Sequence, residues 1–229
     1  MKHILVTAYY PLPGAKHSPH KYKEWFTNFF SCVTCPVVCF CPPSMVEEFT
    51  SLKGDNVTLI VREFNSWSMM SLQQMDIWKQ FHAIDPEKGY HCPDLYAIWA
   101  AKQEFVLEAM KITDGDLFTW CDIGCFRTRR QGGFDYVEKY YKPKKLTCLS
   151  ICQMIGGGVL MGDRDAWVMF SALYLEELAK NPHGKDQVIY RRILNPSNAV
   201  ILNPVHTYGD EWFYLTYIFC YPIVHHEPI

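Results

Sequence analysis

The segment Asp116-Leu-Phe-Thr-Trp-Cys-Asp-Ile-Gly-Cys-Phe-Arg127 decides how this chain folds. Leu117 to Cys121 is an apolar or near-apolar run that ends on Asp122, with Gly124 shortly after it. A strand buried on both faces reads this way, and open α/β sheets bind ligands beyond the carboxyl ends of such strands. Asp114-Gly115 supplies a turn before the run. Ahead of that turn the spacing predicts a helix from Pro93 to about Lys111, with Leu95, Ile98, Trp99, Phe105, Val106 and Ala109 on an apolar face. The segment therefore predicts a strand over 117–122 that delivers a carboxylate to the edge of a sheet.

Working outward, the first half alternates between the two periods. His3 to Tyr10 reads as a strand, and Ser18 to Val33 as a helix with Tyr22, Trp25, Phe26, Phe29 and Phe30 at helical spacing. Pro36 to Cys41 is a second strand, Ser44 to Leu52 a short helix with a Ser44–Glu47 capping box, and Asn56 to Phe64 a third strand. This βαβαβ order predicts a mostly parallel sheet flanked by helices. Residues 65–90 read as partly helical with a long connection. Later, Leu146 to Gln153 reads as a strand, Gly156-Gly157-Gly158 as a turn, Val159 to Met161 as a short strand and Asp163 to Ala179 as a helix. From Ala199 onward short apolar runs alternate with turns, ending near His225-His226. With no internal repeat or linker, 229 residues make one domain.

Composition narrows the function. A formal charge of −2 gives no electrostatic case for nucleic acid as a partner. The opening apolar run is too short for a signal core or a membrane span, so a soluble, cytoplasmic protein with reduced thiols is expected. The 15% aromatic content suits stacking on sugar-like ligands or a thick core. Cys32-x-x-Cys35 has zinc spacing, but Cys39 and Cys41 sit in an apparent buried strand, where free cysteine behaves as a small hydrophobe. A zinc module on these four cysteines would show stoichiometric metal.

Several stretches together resemble the HtrL/YibB-like family, a group assigned to the GT-A type of nucleotide-sugar glycosyltransferases. They are Val6-Thr7-Ala8-Tyr9-Tyr10 followed by His20-x-Tyr22-x-x-Trp25, and Tyr96-Ala-Ile-Trp-Ala-Ala-Lys102 leading into Phe118 to Arg127. Ile155 to Gly162, Trp167 and Gly184-Lys-Asp-Gln187 complete the pattern. The resemblance covers most of the chain. It implies a GT-A-like single domain, with a Rossmann-like nucleotide-sugar-binding half over about 1–126 and an acceptor-binding half over about 127–229. It further implies sugar transfer from a nucleotide-sugar donor, UDP- or GDP-linked, to a hydroxyl of a glycan acceptor.

On that reading Asp122 stands where GT-A enzymes carry an Asp-x-Asp motif, which grips Mn²⁺ or Mg²⁺ and through it the donor diphosphate. The second acid is replaced by Gly124. The missing ligand would come from another acid or from His225 or His226, or Arg127, Arg129 and Arg130 would hold the phosphates instead. Asp186 and Gln187 would face the acceptor or the transferred sugar. Asp186 is the candidate general base if configuration inverts, or a stabiliser of the oxocarbenium-like centre if it is retained.

Thr7, Ala8 and Tyr9 end the first strand, where a base can stack. Arg62 is placed to reach the nucleotide, and Lys102 the phosphates. Gly156, Gly157 and Gly158 lack the context of a phosphate-binding loop, so a sugar-facing turn is expected. The bland alternatives are a turn-capping Asp122, a core Tyr9, and surface charges at Arg62 and Lys102. Gly124 also keeps open a catalytically silent glycan- or nucleotide-binding domain of the same fold. Donor sugar, acceptor and oligomeric state are not set by these residues.

Overall fold

The apolar run ending at Asp122 forms the fourth strand of a seven-stranded sheet in the computed structural model, which describes residues 1–127, 133–205 and 211–221. The strands are β1 (His3–Ala8), β2 (Val37–Cys41), β3 (Val57–Val61), β4 (Leu117–Cys121), β5 (Leu146–Ile151), β6 (Met154–Asp163) and β7 (Ala199–Leu202). The helices are α1 (Pro19–Cys32), α2 (Val46–Leu52), α3 (Leu72–Ile84), α4 (Pro93–Ile112), α5 (Arg164–Lys180), α6 (Asp186–Ile193) and α7 (Tyr214–Cys220). Strand order is β3-β2-β1-β4-β6-β5-β7. Only β6 runs against its neighbours; the other strand pairs are parallel. The expected mostly parallel α/β sheet is therefore what forms.

Each central strand divides its side chains between two apolar layers, as the period of two requires. Ile4, Val6 and Ala8, with Phe118 and Trp120, join α3 to α6 on one face. Leu5, with Leu117 and Cys121, packs against α1, α2 and α7 on the other. Burial on both faces is why these strands read as continuous apolar runs. The aromatic richness serves this core. Phe105 stacks on Trp120 at 5.5 Å and meets Trp67 edge-on at 4.6 Å. The buried indoles find acceptors: Trp67 Nε1 donates to Tyr10 Oη at 2.7 Å, and Trp167 Nε1 to the Phe118 carbonyl at 3.0 Å.

Three expectations need correction. The Ser44–Glu47 capping box does not form: Pro43–Met45 makes a 3-10 turn, and α2 begins at Val46 with no side-chain cap. Pro42-Pro43 presets that tighter turn and carries Ser44 inside it. The glycine trio is not a turn but the interior of β6. The reversal between β5 and β6 falls instead at Cys152-Gln153, with φ of 49° and 64°. That is the left-handed conformation of a two-residue hairpin turn, adopted here without glycine. Third, the two strands expected over 146–153 and 159–161 are β5 over 146–151 and a longer β6 over 154–163.

The sheet is tied to α4 by Arg164. Its guanidinium donates to the carbonyls of Met110 (2.9 Å), Thr113 (2.7 Å) and Gly115 (2.9 Å), the carboxyl end of α4 and the turn after it. A cation there also meets the negative end of the helix dipole. Arg164→Ala is expected to lower unfolding stability by about 1.5–3 kcal/mol, the worth of hydrogen bonds to a charged group. Urea titration checks it, and Arg164→Lys should recover only part of the loss because an ammonium lacks the planar fork.

Candidate functional site

The site is built where β1 and β4 end and β6 begins. Lys102 projects from α4 on the same helical stripe as Ile98, Phe105, Val106 and Ala109, so its side chain enters the core and is only 3% exposed. A buried ammonium needs negative charge and acceptors. Lys102 Nζ lies 2.9 Å from Asp186 Oδ2 and 3.4 Å from Asp122 Oδ1, and donates to the Gly157 carbonyl at 2.8 Å. Three elements besides its own thus converge on one nitrogen.

Each partner is fixed by its own element. Asp122 follows β4; its N–H donates to the Gly158 carbonyl at 2.8 Å, and Trp120 Nε1 donates to its Oδ1 at 2.8 Å. Asp186 opens α6, and its Oδ1 accepts the Gln187 N–H at 2.8 Å. Gly157 lets β6 pass beside the ion cluster. A Cβ there would lie 2.6 Å from Asp186 Oδ2 and 3.2 Å from Lys102 Nζ. Burial lowers the Lys102 ammonium pKa, but Asp122 and Asp186 outweigh it, and the net shift is upward. Asp122 is pushed above its ordinary value, by burial first and with Asp186 adding to it, against the opposing pull of Lys102 and Trp120.

The cluster forms the floor of a cleft of about 1190 Å³. Ala8, Tyr9, Lys102, Asp122, Gly124, Gly157, Gly158, Asp186 and Gln187 all line it, so most of the candidate residues are brought together. Asp122 keeps 39% of its side chain open, on the side facing the cleft. Tyr9 packs edge-on against Phe26 at 4.4 Å, and burial pushes its hydroxyl up to about 12. Three candidates do not line the cleft. Thr7 is buried beneath the strand end with its Oγ1 unbonded, and Gly156 packs toward Ile151. Arg62 stacks on Trp67 at 4.1 Å and pairs with Glu108 at 3.6 Å. Arg129, Arg130, His225 and His226 lie outside the described residues. Cys39 and Cys41 are buried within β2, where burial raises both thiol pKa values.

A second polar group at the cleft wall escapes sequence reading. Asp85 Oδ2 accepts from Tyr96 Oη at 2.5 Å and His91 Nδ1 at 2.7 Å, while Oδ1 accepts the Glu87 N–H at 2.9 Å and lies 3.2 Å from Lys185 Nζ. Lys185 also pairs with Glu87. Burial favours the protonated Asp85, yet these donors outweigh it and hold the carboxyl well below its ordinary 3.8. Tyr96 and Lys185 stand in stretches quoted above, but the polar connection that supplies Asp85, Glu87 and His91 carries no recognisable motif.

Neither acidic group forms a ready divalent site. Asp85, Glu87 and His91 cluster closely enough to hold an ion, but the Lys185 ammonium already occupies that charge. At Asp122, Oδ1 is engaged by Trp120 and Lys102, and Asp186 is engaged by Lys102 and Gln187, which leaves Asp122 Oδ2 facing the cleft. A side chain at the Gly124 position would crowd Trp25: a Cβ there would lie 3.3 Å from the ring, closer than an ordinary contact. Among the described residues, the donor set at Asp122 therefore does not fit a protein-held Mn²⁺ or Mg²⁺.

No family model matches the sequence, and no curated protein matches it. In structure, the chain is similar to the galactosyltransferase LgtC in complex with donor and acceptor sugar analogs, at a TM-score of 0.50 and 11% identity over 87% of this chain and 73% of that one. It is also similar to the PaToxG glycosyltransferase, at TM-score 0.41 and 14% identity over 84% and 69%. A third likeness is to a glycosyltransferase involved in glycosylating the major capsid of PBCV-1, at TM-score 0.41 and 12% identity over 88% and 82%. The first of these likenesses identifies the fold as GT-A-like. Among the described residues no helix is long and apolar enough to cross a membrane.

Two stability tests follow from the ion groups. Lys102→Met leaves buried Asp186 and half-open Asp122 without their cation and should cost about 3–5 kcal/mol at neutral pH. It also removes the influence that lowers Asp122, leaving burial and Asp186 to raise it further. The deficit should therefore be smallest in acid, where Asp122 holds a proton, and grow as pH rises; urea midpoints measured across pH check it. Asp85→Asn should show a pH signature of the same sign, from a different carboxyl. Because the folded Asp85 titrates below 3.8, its contribution is complete above that value and lost as pH falls through the folded one. Melting curves of Asp85→Asn and wild type should converge on acidification.

Proposed function

We propose that the protein is a glycosyltransferase that moves a sugar from a nucleotide-sugar donor to a hydroxyl of a glycan acceptor. The observation that carries this reading is the carboxylate pair Asp122 and Asp186, clasped by buried Lys102 at the carboxyl ends of parallel strands in a GT-A-like sheet. In open α/β sheets that is where ligands bind. The kinship with HtrL/YibB-like proteins is part of the same proposal, and so is the division into a donor half over about 1–126 and an acceptor half over about 127–229.

On this reading the donor base lies beyond β1, near Ala8 and Tyr9, and its sugar lies over Asp122, Gly157 and Gly158. Transfer breaks the bond between the anomeric carbon and the diphosphate and forms one to the acceptor oxygen, whose proton is released. Asp186 is held in place by Lys102 and the Gln187 N–H. So positioned, it serves either as the base that takes the acceptor proton or as the stabiliser of positive charge at the anomeric carbon. Mn²⁺ or Mg²⁺, if the reaction uses one, needs ligands beyond Asp122 Oδ2. The lack of a second acid at Gly124 also favours, as a second reading, a silent binding domain.

Release of UDP or GDP from UDP- or GDP-hexoses, with and without added glycans, separates the two. Asp122→Ala and Asp186→Asn are each expected to cut turnover on the order of 10²-fold, as loss of a charged group at a transfer site does. Wild-type protein that binds donor yet releases no nucleotide would support the silent domain. Unchanged turnover in either variant would remove that residue from the chemistry.

A further inference from the structure

The Gly124 position and the residues packed over it point to how the donor's phosphates are held. The ring of Trp25 lies over position 124, 3.3 Å from where a Cβ there would stand. On that ring lies the guanidinium of Arg127, 3.5 Å from the centroid, with Phe213 5.1 Å from the same group. Trp25, Gly124, Arg127 and Phe213 all line the cleft that holds Asp122. The second acid is thus replaced in space, and its replacement presents a positive charge.

Other cations gather around this one. His17 packs edge-on against Trp25 at 4.8 Å, and Lys21 Nζ stands 6.0 Å from the Trp25 ring while pairing with Glu24 at 2.8 Å. Lys16 reaches across the cleft to within 5.6 Å of the Tyr90 ring and pairs with no acid among the described residues. The His17 imidazole is pushed below its ordinary value by partial burial and then by Arg127, Lys16 and Lys21, which reports how closely these charges converge. The floor of the cleft is the reverse. Lys102 faces two carboxylates, so that ion group carries a net negative charge.

We propose that Arg127, seated on Trp25 and aided by Lys16, is a side-chain clamp for the diphosphate of a nucleotide ligand and stands in for the metal that an Asp-x-Asp site would hold. It rests on the reading that the cleft takes a nucleotide sugar. A stacked guanidinium keeps its planar N–H fork in a fixed orientation, and that fork meets two phosphate oxygens together. The departing nucleoside diphosphate would be stabilised by this fixed charge, and the sugar would lie toward the negative floor, where positive charge develops at the anomeric carbon. Trp25 is a positioning residue in this scheme, since it acts through Arg127.

The test is calorimetric titration of UDP, GDP and inorganic pyrophosphate in EDTA and, separately, in Mn²⁺, with wild type, Arg127→Ala, Arg127→Lys and Trp25→Leu. Melting temperatures confirm which variants are folded. Wild type is expected to bind a nucleotide in EDTA within about twofold of its affinity in Mn²⁺, and Arg127→Ala to lose about tenfold or more in either buffer. Arg127→Lys should fall between them, and Trp25→Leu should weaken pyrophosphate as well as nucleotide. Affinity unchanged in Arg127→Ala and Arg127→Lys would overturn the clamp, as would binding that appears only with Mn²⁺; both results leave the sugar-transfer reading in place. Failure of both nucleotides and pyrophosphate to bind in either buffer would overturn the clamp and that reading together.

Discussion

An ammonium enclosed by protein must be matched by negative charge, and the placement of Lys102 dictates much of this molecule. Burying an ion costs several kcal/mol unless its partners are well placed. Here the partners come from β4, β6 and α6, while the lysine itself comes from α4. None of those elements can shift far without stranding a charge. The sheet order brings β6 against β4, so that Asp122 meets the Gly158 carbonyl, and it is the absence of a side chain at Gly157 that lets the strand run beside the cluster. A stable floor for the cleft follows from electrostatic necessity.

Around that floor the cleft is divided by charge. Its base is negative, with Asp122 open to the space above, whereas Arg127 and Lys16 stand at its wall on aromatic supports. Such a gradient suits a ligand with an anionic part and a part that becomes cationic during reaction, which a nucleotide sugar is. The fold places this gradient at the carboxyl ends of β1 and β4.

Much of this was legible before any coordinates. The doubly buried strands announce themselves as apolar runs, and Asp122 at the end of one of them was the natural focus. Lys102 was expected at the phosphates or on the surface; it shares the stripe of Ile98, Phe105, Val106 and Ala109 and is buried, and periodicity does not say which acid it meets. The pairing with Asp186 spans 84 positions and depends on strand order, which local patterns do not encode. The glycine trio misled because glycine is the usual turn residue, whereas here the turn uses Cys152 and Gln153 and the glycines serve close approach. Trp25 looked like one more core aromatic of α1, since nothing in its spacing reveals that Gly124 lies beneath it. The Asp85 group was hidden because its members come from separate places: Asp85, Glu87 and His91 from the connection before α4, Tyr96 from α4 and Lys185 from just before α6.

The most direct measurement is the protonation state of Lys102 in the folded protein, read from the side-chain nitrogen by NMR with selective lysine labelling and a Lys102→Met control for assignment. The account predicts an ammonium that titrates above the ordinary lysine value and whose protons exchange slowly with water, because two carboxylates and a carbonyl hold it. A nitrogen that loses its proton below that value, or exchanges as fast as the surface lysines, would contradict the ion cluster on which the site is built.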